Sequence, residues 1–203
     1  MTDAVAQQES LEGMLKDEIV RMYQEVADNP DSEFHFYHGR EAAELFGYDR
    51  EWLEEAPEGA VSSFAGVGNP HERSDLQPGE TVLDLGSGAG LDALIASRQV
   101  GPTGQVIGVD LNPSMCRKAK AHVSESGGVM ECHEGRMEDI PLPDETADVV
   151  LSNGVINLSF RKRKVIEEMF RVLRPGGRIS ITDIVSAKQL SQSIVNDPKL
   201  WAS

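Results

Sequence analysis

Residues 82–90 read VLDLGSGAG, a short apolar run that passes into three alternating glycines. The apolar run is typical of a buried β-strand, which we place at Thr81–Leu85, and a helix is predicted over Leu91–Val100. Because glycine has no Cβ, a turn of this composition lets the backbone approach a ligand closely at the carboxyl edge of a sheet. The stretch therefore predicts a strand, a ligand-binding turn and a helix.

Strands and helices alternate after this turn. Further strands are predicted at Gln105–Asp110, Val129–His133, Ala147–Asn153 and Arg178–Ile184. Asn112 and Pro113 suit the first residues of a helix. Another helix is predicted over residues 161–173, with an apolar face of Ile166, Met169, Phe170 and Leu173 and an end at Pro175-Gly176-Gly177. Five apolar strands alternating with helices indicate an α/β fold, a doubly wound and mostly parallel sheet covered on both faces.

The N-terminal segment differs from the rest of the chain in charge. The whole chain of 203 residues has 34 acidic and 19 basic side chains, a net charge of −15, and residues 1–60 hold most of the excess. An amphipathic helix is predicted over residues 10–28, one or two short helices over 39–56, and a loop over 57–70. The segment 1–60 is therefore predicted to be an acidic helical cap on a core of residues 61–185.

The same composition excludes several classes of protein. Excess negative charge argues against a nucleic-acid partner and against attachment to anionic lipid. The sequence has neither a basic leader nor an apolar run long enough to cross a bilayer. Its two cysteines form no CxxC motif, which fits a cytoplasmic location.

Asp110 bears on the class of ligand expected at the turn. It ends the second predicted strand, twenty residues after Gly90, where a carboxylate accepts hydrogen bonds from both ribose hydroxyls. The dinucleotide fingerprint requires a glycine where this chain has Leu91. Asp84 would repel a pyrophosphate and suits a ligand with an ammonium group. A structural turn without a ligand is the alternative.

The motifs VLDLGSGAG, GVD, GRMEDIPLPDETADVVLSN and RVLRPGG, in that order over residues 80–184, resemble class I S-adenosylmethionine-dependent methyltransferases. The resemblance implies a Rossmann-like fold and S-adenosylmethionine (SAM) as the cofactor. It implies that the turn holds the methionine part, that strand two supplies the ribose ligand, and that the loops after strands three and four meet the adenine and the sulfonium. The cofactor-binding residues implied are Asp84, Gly86, Ser87, Gly88, Gly90, Asp110, Leu111, Arg136, Met137, Glu138, Asn153, Gly154 and Val155.

Four further motifs narrow this resemblance to arsenite methyltransferases. They are PEGAVSSFAGVGNP at 57–70, VGPTGQVIGVD at 100–110, SNGVINLS at 152–159 and NDPKLW at 196–201. The resemblance implies arsenite as the methyl acceptor, with residues 186–203 beginning a substrate-side region. It also implies two further strands beyond Ser203, or a partner that covers the sheet edge. The oligomeric state is left open.

The cysteines that this family uses to bind arsenic are absent. The resemblance places them at Val67, at Gly154 or Ser159, and after the LW motif. We expect Cys116 and Cys132 to be distant from each other and to serve as small packing residues. An organic acceptor methylated on oxygen, nitrogen or carbon, and a cofactor-binding protein without turnover, are therefore the alternatives. No residue is assigned as a catalytic acid or base, because a sulfonium methyl is already electrophilic.

Two other clusters have simpler interpretations. His35 and His38 lack a third residue at metal-ligand spacing, so no metal site is predicted. The basic run at residues 161–164 is interpreted as a solvated helix start.

Overall fold

The computed structural model describes residues 2–29, 32, 34–188 and 197, and of residues 2–10 and 12 it describes the backbone alone. Its strands are β1 (Thr81–Leu85), β2 (Gln105–Asp110), β3 (Met130–Glu134), β4 (Ala147–Asn153) and β5 (Leu173–Thr182). Its α-helices are α1 (Thr2–Asp28), α2 (Gly39–Leu45), α3 (Arg50–Glu55), α4 (Glu58–Ser62), α5 (His71–Ser74), α6 (Leu91–Val100), α7 (Pro113–Glu125) and α8 (Lys162–Val172).

The five strands form one parallel sheet in the order β3-β2-β1-β4-β5. Leu85, at the end of β1, pairs with Val109 of β2 on one side and Ser152 of β4 on the other. The carboxyl ends of these three strands therefore meet at one edge, where the strand order reverses and where ligands bind in open α/β sheets. The predicted doubly wound α/β fold is confirmed.

Apolar layers cover both faces of the sheet. On one face, α6 and α7 pack over the strands through residues such as Leu94 and Val123. On the other, α8 packs through Val165, Met169 and Val172. Burial on both faces explains why the central strands β1, β2 and β4 are largely apolar.

The apolar face predicted for α8 was wrong at two positions. Ile166 and Phe170 are 44% and 80% exposed, whereas Val165 is fully buried. The helix contains two apolar rows at i, i+4 spacing, and spacing alone does not choose between them. Glu168 fixes the choice, because its carboxylate is buried and accepts hydrogen bonds from the Ile140 backbone and from Arg171.

The Pro175-Gly176-Gly177 segment was wrongly predicted to lie between the helix and the last strand. The helix ends at Val172, and β5 begins at Leu173, which pairs with Ala147. Pairing resumes at Arg178, opposite Val149, so the Pro-Gly-Gly segment forms an irregularity inside the strand. A proline in a strand is tolerated at such a bulge or at a sheet edge.

Smaller differences lie at element boundaries. Helix α1 begins at Thr2 rather than at residue 10, and β3 is displaced by one residue. The predicted loop at 57–70 contains α4, so the predicted boundary between residues 60 and 61 falls inside a helix. The predicted substrate-side region lies outside the described residues except for 186–188 and 197, and a partner at the β5 edge stays a prediction.

The N-terminal helices pack against the carboxyl edge of the sheet. The short helices contact α6 through Leu53, Phe64 and Ile95. Helix α1 contacts α7 through Val26 and Met115. Lys118 and Asn112 also bind backbone carbonyls of α1. The segment is therefore a cover over the edge at which the glycine turn lies.

Candidate cofactor site

The glycine turn connects β1 to α6 in a conformation that requires glycine. Gly86 and Gly90 have φ angles of +77° and +89°, in the left-handed region. A Cβ on Gly86 would collide with Val155, and one on Gly90 would lie 2.8 Å from the Cα of Ala119. Both glycines thus allow close packing against the segment after β4 and against α7.

A cavity of about 1010 Å³, counted to its open mouth, lies in front of this turn. Ten of the thirteen residues implied by the sequence line it: Gly86, Ser87, Gly88, Gly90, Asp110, Leu111, Met137, Asn153, Gly154 and Val155. Arg136 and Glu138 instead line a neighbouring cavity, together with Met137, and Asp84 lies beneath the turn. The structure therefore brings most of the predicted set to one place.

Asp110 is held as a fixed pair of acceptors at the end of β2. Its Oδ2 accepts the backbone N–H of Gly88 at 2.8 Å, and its Oδ1 accepts that of Asn112 at 2.8 Å. Burial raises the pKa of the Asp110 carboxyl, and the two backbone N–H groups oppose that rise. Each carboxylate oxygen has a second lone pair, so both can accept one further hydrogen bond.

Asp84 is a buried carboxylate with an incomplete set of partners. It is 2% exposed, and its Oδ2 has no hydrogen-bond partner. Burial, followed by the charges of Asp92 and Asp110, raises the pKa of Asp84 well above its usual value, and the N–H of Ala93 opposes this rise. A positive charge in the cavity would therefore stabilise the ionised form of Asp84.

The walls of the cavity carry negative charge. Asp92 and Asp110 line it, and no lysine or arginine does so among the described residues. Two carboxylates in a concave, partly buried surface favour a cationic ligand. The acidic lining of the cavity is thus suited to a molecule with a sulfonium or an ammonium group.

A buried polar network, which the sequence did not reveal, lies at the β4 end of the cavity. The Tyr48 hydroxyl donates to Asp92 Oδ1 at 2.5 Å, and His71 Nε2 lies 3.1 Å from the same oxygen. The Asn153 amide nitrogen lies 3.1 Å from Asp92 Oδ2 and 3.1 Å from the Tyr48 hydroxyl oxygen. These contacts connect the N-terminal cover to α6 and β4.

Asn153 also holds the loop before β1. Its amide nitrogen donates to the Gly68 carbonyl at 2.9 Å, and its Oδ1 accepts from the Val67 N–H at 2.8 Å and from the Thr182 hydroxyl at 2.8 Å. Both ends of one side chain are therefore fully used. Asn153 was implied as a cofactor residue, and the structure shows that it also positions three neighbouring segments.

Helix α1 forms another wall of the cavity. Ile19, Val20 and Tyr23 line it. Burial raises the pKa of Tyr23 to about 12, and the charges of Asp110 and Asp183 add to that rise. The i, i+4 spacing of Ile19 and Tyr23 indicated an apolar face, but the sequence could not show that this face meets the glycine turn.

The two cysteines are neighbours, contrary to the expectation that they are distant. The interaction between Cys116 in α7 and Cys132 in β3 lowers the pKa of Cys116 and raises that of Cys132, and Cys132 Sγ lies 3.6 Å from Ser87 Oγ. Helix α7 packs over β3, which accounts for a contact between residues sixteen positions apart. The described residues contain no group of three or more His, Cys, Asp or Glu placed to hold a metal ion.

A five-stranded parallel sheet in this order, with a glycine turn after β1 and an aspartate at the end of β2, defines a class I SAM-dependent methyltransferase domain. Residues 76–203 match the family model described as Methyltransferase domain, and the chain belongs to this family. The model for protein-L-isoaspartate(D-aspartate) O-methyltransferase matches residues 7–137, which contain the same turn.

Within this family the chain is similar to arsenite methyltransferases. It is 42% identical over 157 residues to the arsenite methyltransferase of Halobacterium salinarum, covering 77% of this chain and 40% of that protein. The structure of an arsenic(III) SAM methyltransferase from Chlamydomonas reinhardtii matches with a TM-score of 0.67 and 36% identity, covering 74% of this chain and 53% of that one.

A second kind of relative is a quinone C-methyltransferase. The ubiquinone/menaquinone biosynthesis C-methyltransferase UbiE of Salmonella arizonae is 39% identical over 113 residues, covering 54% of this chain and 45% of that protein. The chain thus spans less than half the length of the curated relatives named here. The described part of the chain has no helix long and apolar enough to cross a membrane.

SAM is the cofactor of this family, and the cavity fits it. The cofactor carries a sulfonium and an ammonium against one carboxylate, so its net charge is positive. The carboxylates of Asp92 and Asp110 supply the opposite charge, and a cation in the cavity would favour the ionised form of Asp84, whose Oδ2 has no partner. Because the glycines of the turn have no side chains, the cavity keeps the space that the cofactor needs.

Replacing Asp84 by asparagine is expected to stabilise the cofactor-free protein and to weaken cofactor binding. The Asn oxygen can still accept from the Ala93 N–H, while the change removes a carboxyl group whose ionisation is opposed by burial and by the charges of Asp92 and Asp110. We expect a gain of about 1–2 kcal/mol in the free energy of unfolding at pH 7 and about tenfold weaker SAM binding. Denaturant unfolding and titration calorimetry measure the two effects.

The raised pKa of Asp84 also fixes the sign of a pH effect. Above about pH 4 the unfolded chain has released the proton of Asp84, whereas the folded protein still holds it. The contribution of this group to the free energy of unfolding therefore falls as the pH rises. The asparagine variant is expected to lack that slope. Asp139→Asn, at an exposed position, should leave stability and SAM affinity within error of the wild type. Equal SAM affinity for the Asp84 variant and the wild type would refute the electrostatic role.

Proposed function

We propose that this chain is the cofactor-binding part of an enzyme that transfers a methyl group from SAM to a small-molecule acceptor. The observation that carries the proposal is the single cavity that joins the glycine turn, Asp110 and the Asn153–Val155 segment. A methyl donor held by the first two features would present its reactive end toward the third. The class I fold that the chain shares with its relatives supports the same orientation of the methyl donor.

We assign the residues of this cavity the following parts. Asp110 accepts hydrogen bonds from the two ribose hydroxyls, while Leu111 and Met137 pack on the adenine. The carboxylates behind and beside the turn attract the positive charge. When bound, SAM supplies an electrophilic methyl group, so the chain has to orient the acceptor and exclude water. Tyr23 and its neighbours in α1 close the cavity on the solvent side.

Arsenite is the acceptor that we propose first. The arsenite methyltransferase of H. salinarum is the 42% identical relative, and the match includes most of this chain. The arsenic atom of arsenite attacks through a lone pair and carries no proton of its own, so methyl transfer to it needs no general base; a hydroxyl proton leaves to water after the transfer.

The two positions at which related enzymes were expected to carry cysteines lie side by side. A Cβ on Gly154 would lie 3.1 Å from Val67 Cγ1, at the end of the cavity near Asn153. Cysteines at both positions would therefore form a thiol pair at the methyl end of the site. The φ of +73° at Gly154 makes a side chain there cost about 1–2 kcal/mol.

The test is methyl transfer to arsenite from labelled SAM, measured as methylated arsenic in the presence of a reducing thiol. We expect product from the wild type and at least about tenfold more from the double variant Val67→Cys/Gly154→Cys, because two thiolates hold the arsenic near the cofactor. Val67→Ser/Gly154→Ser is the matched control and should show no gain. SAM binding without arsenic methylation by either protein would reject arsenite as the acceptor.

An organic acceptor is the second candidate. Val67 places an apolar side chain against Gly154, which lines the cavity, and the 39% identical UbiE relative is named as a C-methyltransferase. S-adenosylhomocysteine formation with a series of quinols, phenols and amines distinguishes this candidate from arsenite. A chain that binds SAM and turns over with neither class would be the cofactor-binding protein without turnover.

A further inference from the structure

Asp92 lies where the glycine turn and the end of β4 meet in the wall of the cofactor cavity. It belongs to the first turn of α6, shortly after Gly90, and it lines the cavity. Its Oδ2 lies 3.1 Å from the amide nitrogen of Asn153. With the ribose at Asp110 and the methionine part on the glycine turn, the amino-acid end of the cofactor would face this part of the wall.

The Asp92 carboxylate keeps one acceptor position for a ligand. Its Oδ1 has two partners, the Tyr48 hydroxyl at 2.5 Å and His71 Nε2 at 3.1 Å, and its Oδ2 has one, the Asn153 amide nitrogen. Because each carboxylate oxygen has two lone pairs, Oδ2 can accept one further hydrogen bond. Asp84 lies beneath the turn and outside the cavity wall. Beside the ribose ligand, Asp92 is therefore the carboxylate that can contact a cationic group in the cavity.

His71, the first residue of α5, is fixed as a hydrogen-bond donor to Asp92. Its side chain is fully buried, with its ring edge-on to Trp52 and Tyr48 at centroid distances of 5.7 and 6.3 Å. Its backbone N–H donates to Asn69 Oδ1 at 3.0 Å. Its Nδ1 has no hydrogen-bond partner among the described residues, so a proton is better placed on Nε2, where Asp92 accepts it.

We propose that Asp92 binds the ammonium group of the cofactor and that Tyr48 and His71 are positioning residues that orient it. The inference rests on the function proposed above, because it requires the cavity to bind SAM. Tyr48 and His71 do not line the cavity, so they act through Asp92 and not by contact with the ligand. The segment before β1 thus completes a cofactor site whose other parts come from the sheet edge.

Orientation matters because the terminal torsion of an aspartate side chain has a broad energy well. The two donors on Oδ1 fix the plane of the Asp92 carboxylate and so direct the open position of Oδ2 into the cavity. Loss of either donor leaves Oδ1 one hydrogen bond short and allows the carboxylate to turn. The contact with the ammonium group should then weaken, whereas contacts with the adenosine part should not.

Two ligands that differ only in the ammonium group test the assignment of Asp92. They are S-adenosylhomocysteine and its desamino analogue, in which hydrogen replaces the ammonium group. The ratio of their dissociation constants, the ammonium preference, is measured by titration calorimetry with the full chain. We expect about thirtyfold for the wild type, from one hydrogen bond between charged groups, and less than about threefold for Asp92→Asn. An unchanged preference in this variant, or none in the wild type, would overturn the assignment.

Tyr48→Phe and His71→Leu test the positioning. Each removes one donor to Asp92 and should lower the ammonium preference about fivefold, with the affinity for the desamino analogue unchanged. His71→Gln should restore the preference, because its amide nitrogen replaces Nε2 as the donor. Tyr37→Phe, at an exposed tyrosine, is the matched control and should bind both ligands as the wild type does. Equal losses of affinity for the two ligands in Tyr48→Phe would mean that the hydroxyl only supports the fold, and would overturn the positioning role.

Failure of the proposed function would give a different result. A wild type that binds neither ligand would have no cofactor site, whereas equal binding of the two ligands would leave the site in place and reject Asp92 as the ammonium ligand. Denaturant unfolding of each cofactor-free variant shows whether it is folded. Tyr48→Phe keeps the ring and its packing against Phe64, so it decides the positioning role should His71→Leu fail to fold.

Discussion

Asp110→Asn is expected to reduce the affinity for SAM at least about a hundredfold. In the wild type each oxygen of this carboxylate accepts one backbone N–H and, by our proposal, one ribose hydroxyl. The Asn variant presents an NH2 group to either the Gly88 or the Asn112 N–H, so two donors face each other. The ribose also loses its charged acceptor, and hydrogen bonds to charged groups are worth about 1.5–3 kcal/mol each.

Glu134→Gln is the matched control for this change. Glu134 pairs with Asp110 in the β2–β3 register and is exposed, so the variant removes the same charge from the next strand end. Its SAM affinity should stay within about twofold of the wild type. A SAM analogue that lacks the 2′-hydroxyl gives a second test. It should bind the wild type less well than SAM does, whereas the Asp110 variant should discriminate far less between the two ligands.

The position of Asp110 beside the glycine turn could be predicted because its signals are local. A strand, a glycine turn and an aspartate at the next strand end are all set by residues close in sequence, and parallel pairing then brings the ends of β1 and β2 together. The bounds of β1, β2 and β4 were predicted correctly for the same reason. The orientation of α8 was not, because the side chain that fixes it, Glu168, takes its partner from a loop 28 residues away.

The polar network and the thiol pair were beyond prediction for a different reason. Tyr48 and Asn153 are 105 positions apart, and neither occurs in a motif that implies a partner. Cys116 and Cys132 lack the short spacing of a recognised thiol motif, and only the packing of α7 over β3 brings them together. The sequence predicted most of the residues that line the cavity, whereas the pairing of distant residues depends on how the N-terminal cover and the helices pack.

Asn153→Asp is expected to lower the free energy of unfolding by about 4 kcal/mol at pH 8, with recovery toward acid pH. Its Oδ1 can still accept from the Val67 N–H and the Thr182 hydroxyl. The amide nitrogen becomes an oxygen 3.1 Å from Asp92 Oδ2 and 2.9 Å from the Gly68 carbonyl. Two buried carboxylates at this separation cannot both ionise, so the pair must keep one proton.

The retained proton makes the stability of this variant depend on pH with a definite sign. In the unfolded chain both aspartates release their protons near pH 4, whereas the folded pair holds one to a pH about three units higher. Across that window the folded state binds more protons than the unfolded state, so stability falls as the pH rises. Urea unfolding at pH 5 and pH 8 should show a much larger difference for Asn153→Asp than for the wild type.

Two further variants separate charge from lost hydrogen bonds in this network. Asn153→Ala removes the hydrogen bonds without adding a charge, so it should be destabilised at both pH values by a similar amount. Thr103→Asp adds the same charge at an exposed position, and its stability should change by less than about 1 kcal/mol. Parallel pH curves for Asn153→Asp and Asn153→Ala would mean that Asp92 is not charged in the folded protein. The network would then be a set of neutral hydrogen bonds, and the negative field of the cavity would rest on Asp110 and Asp84 alone.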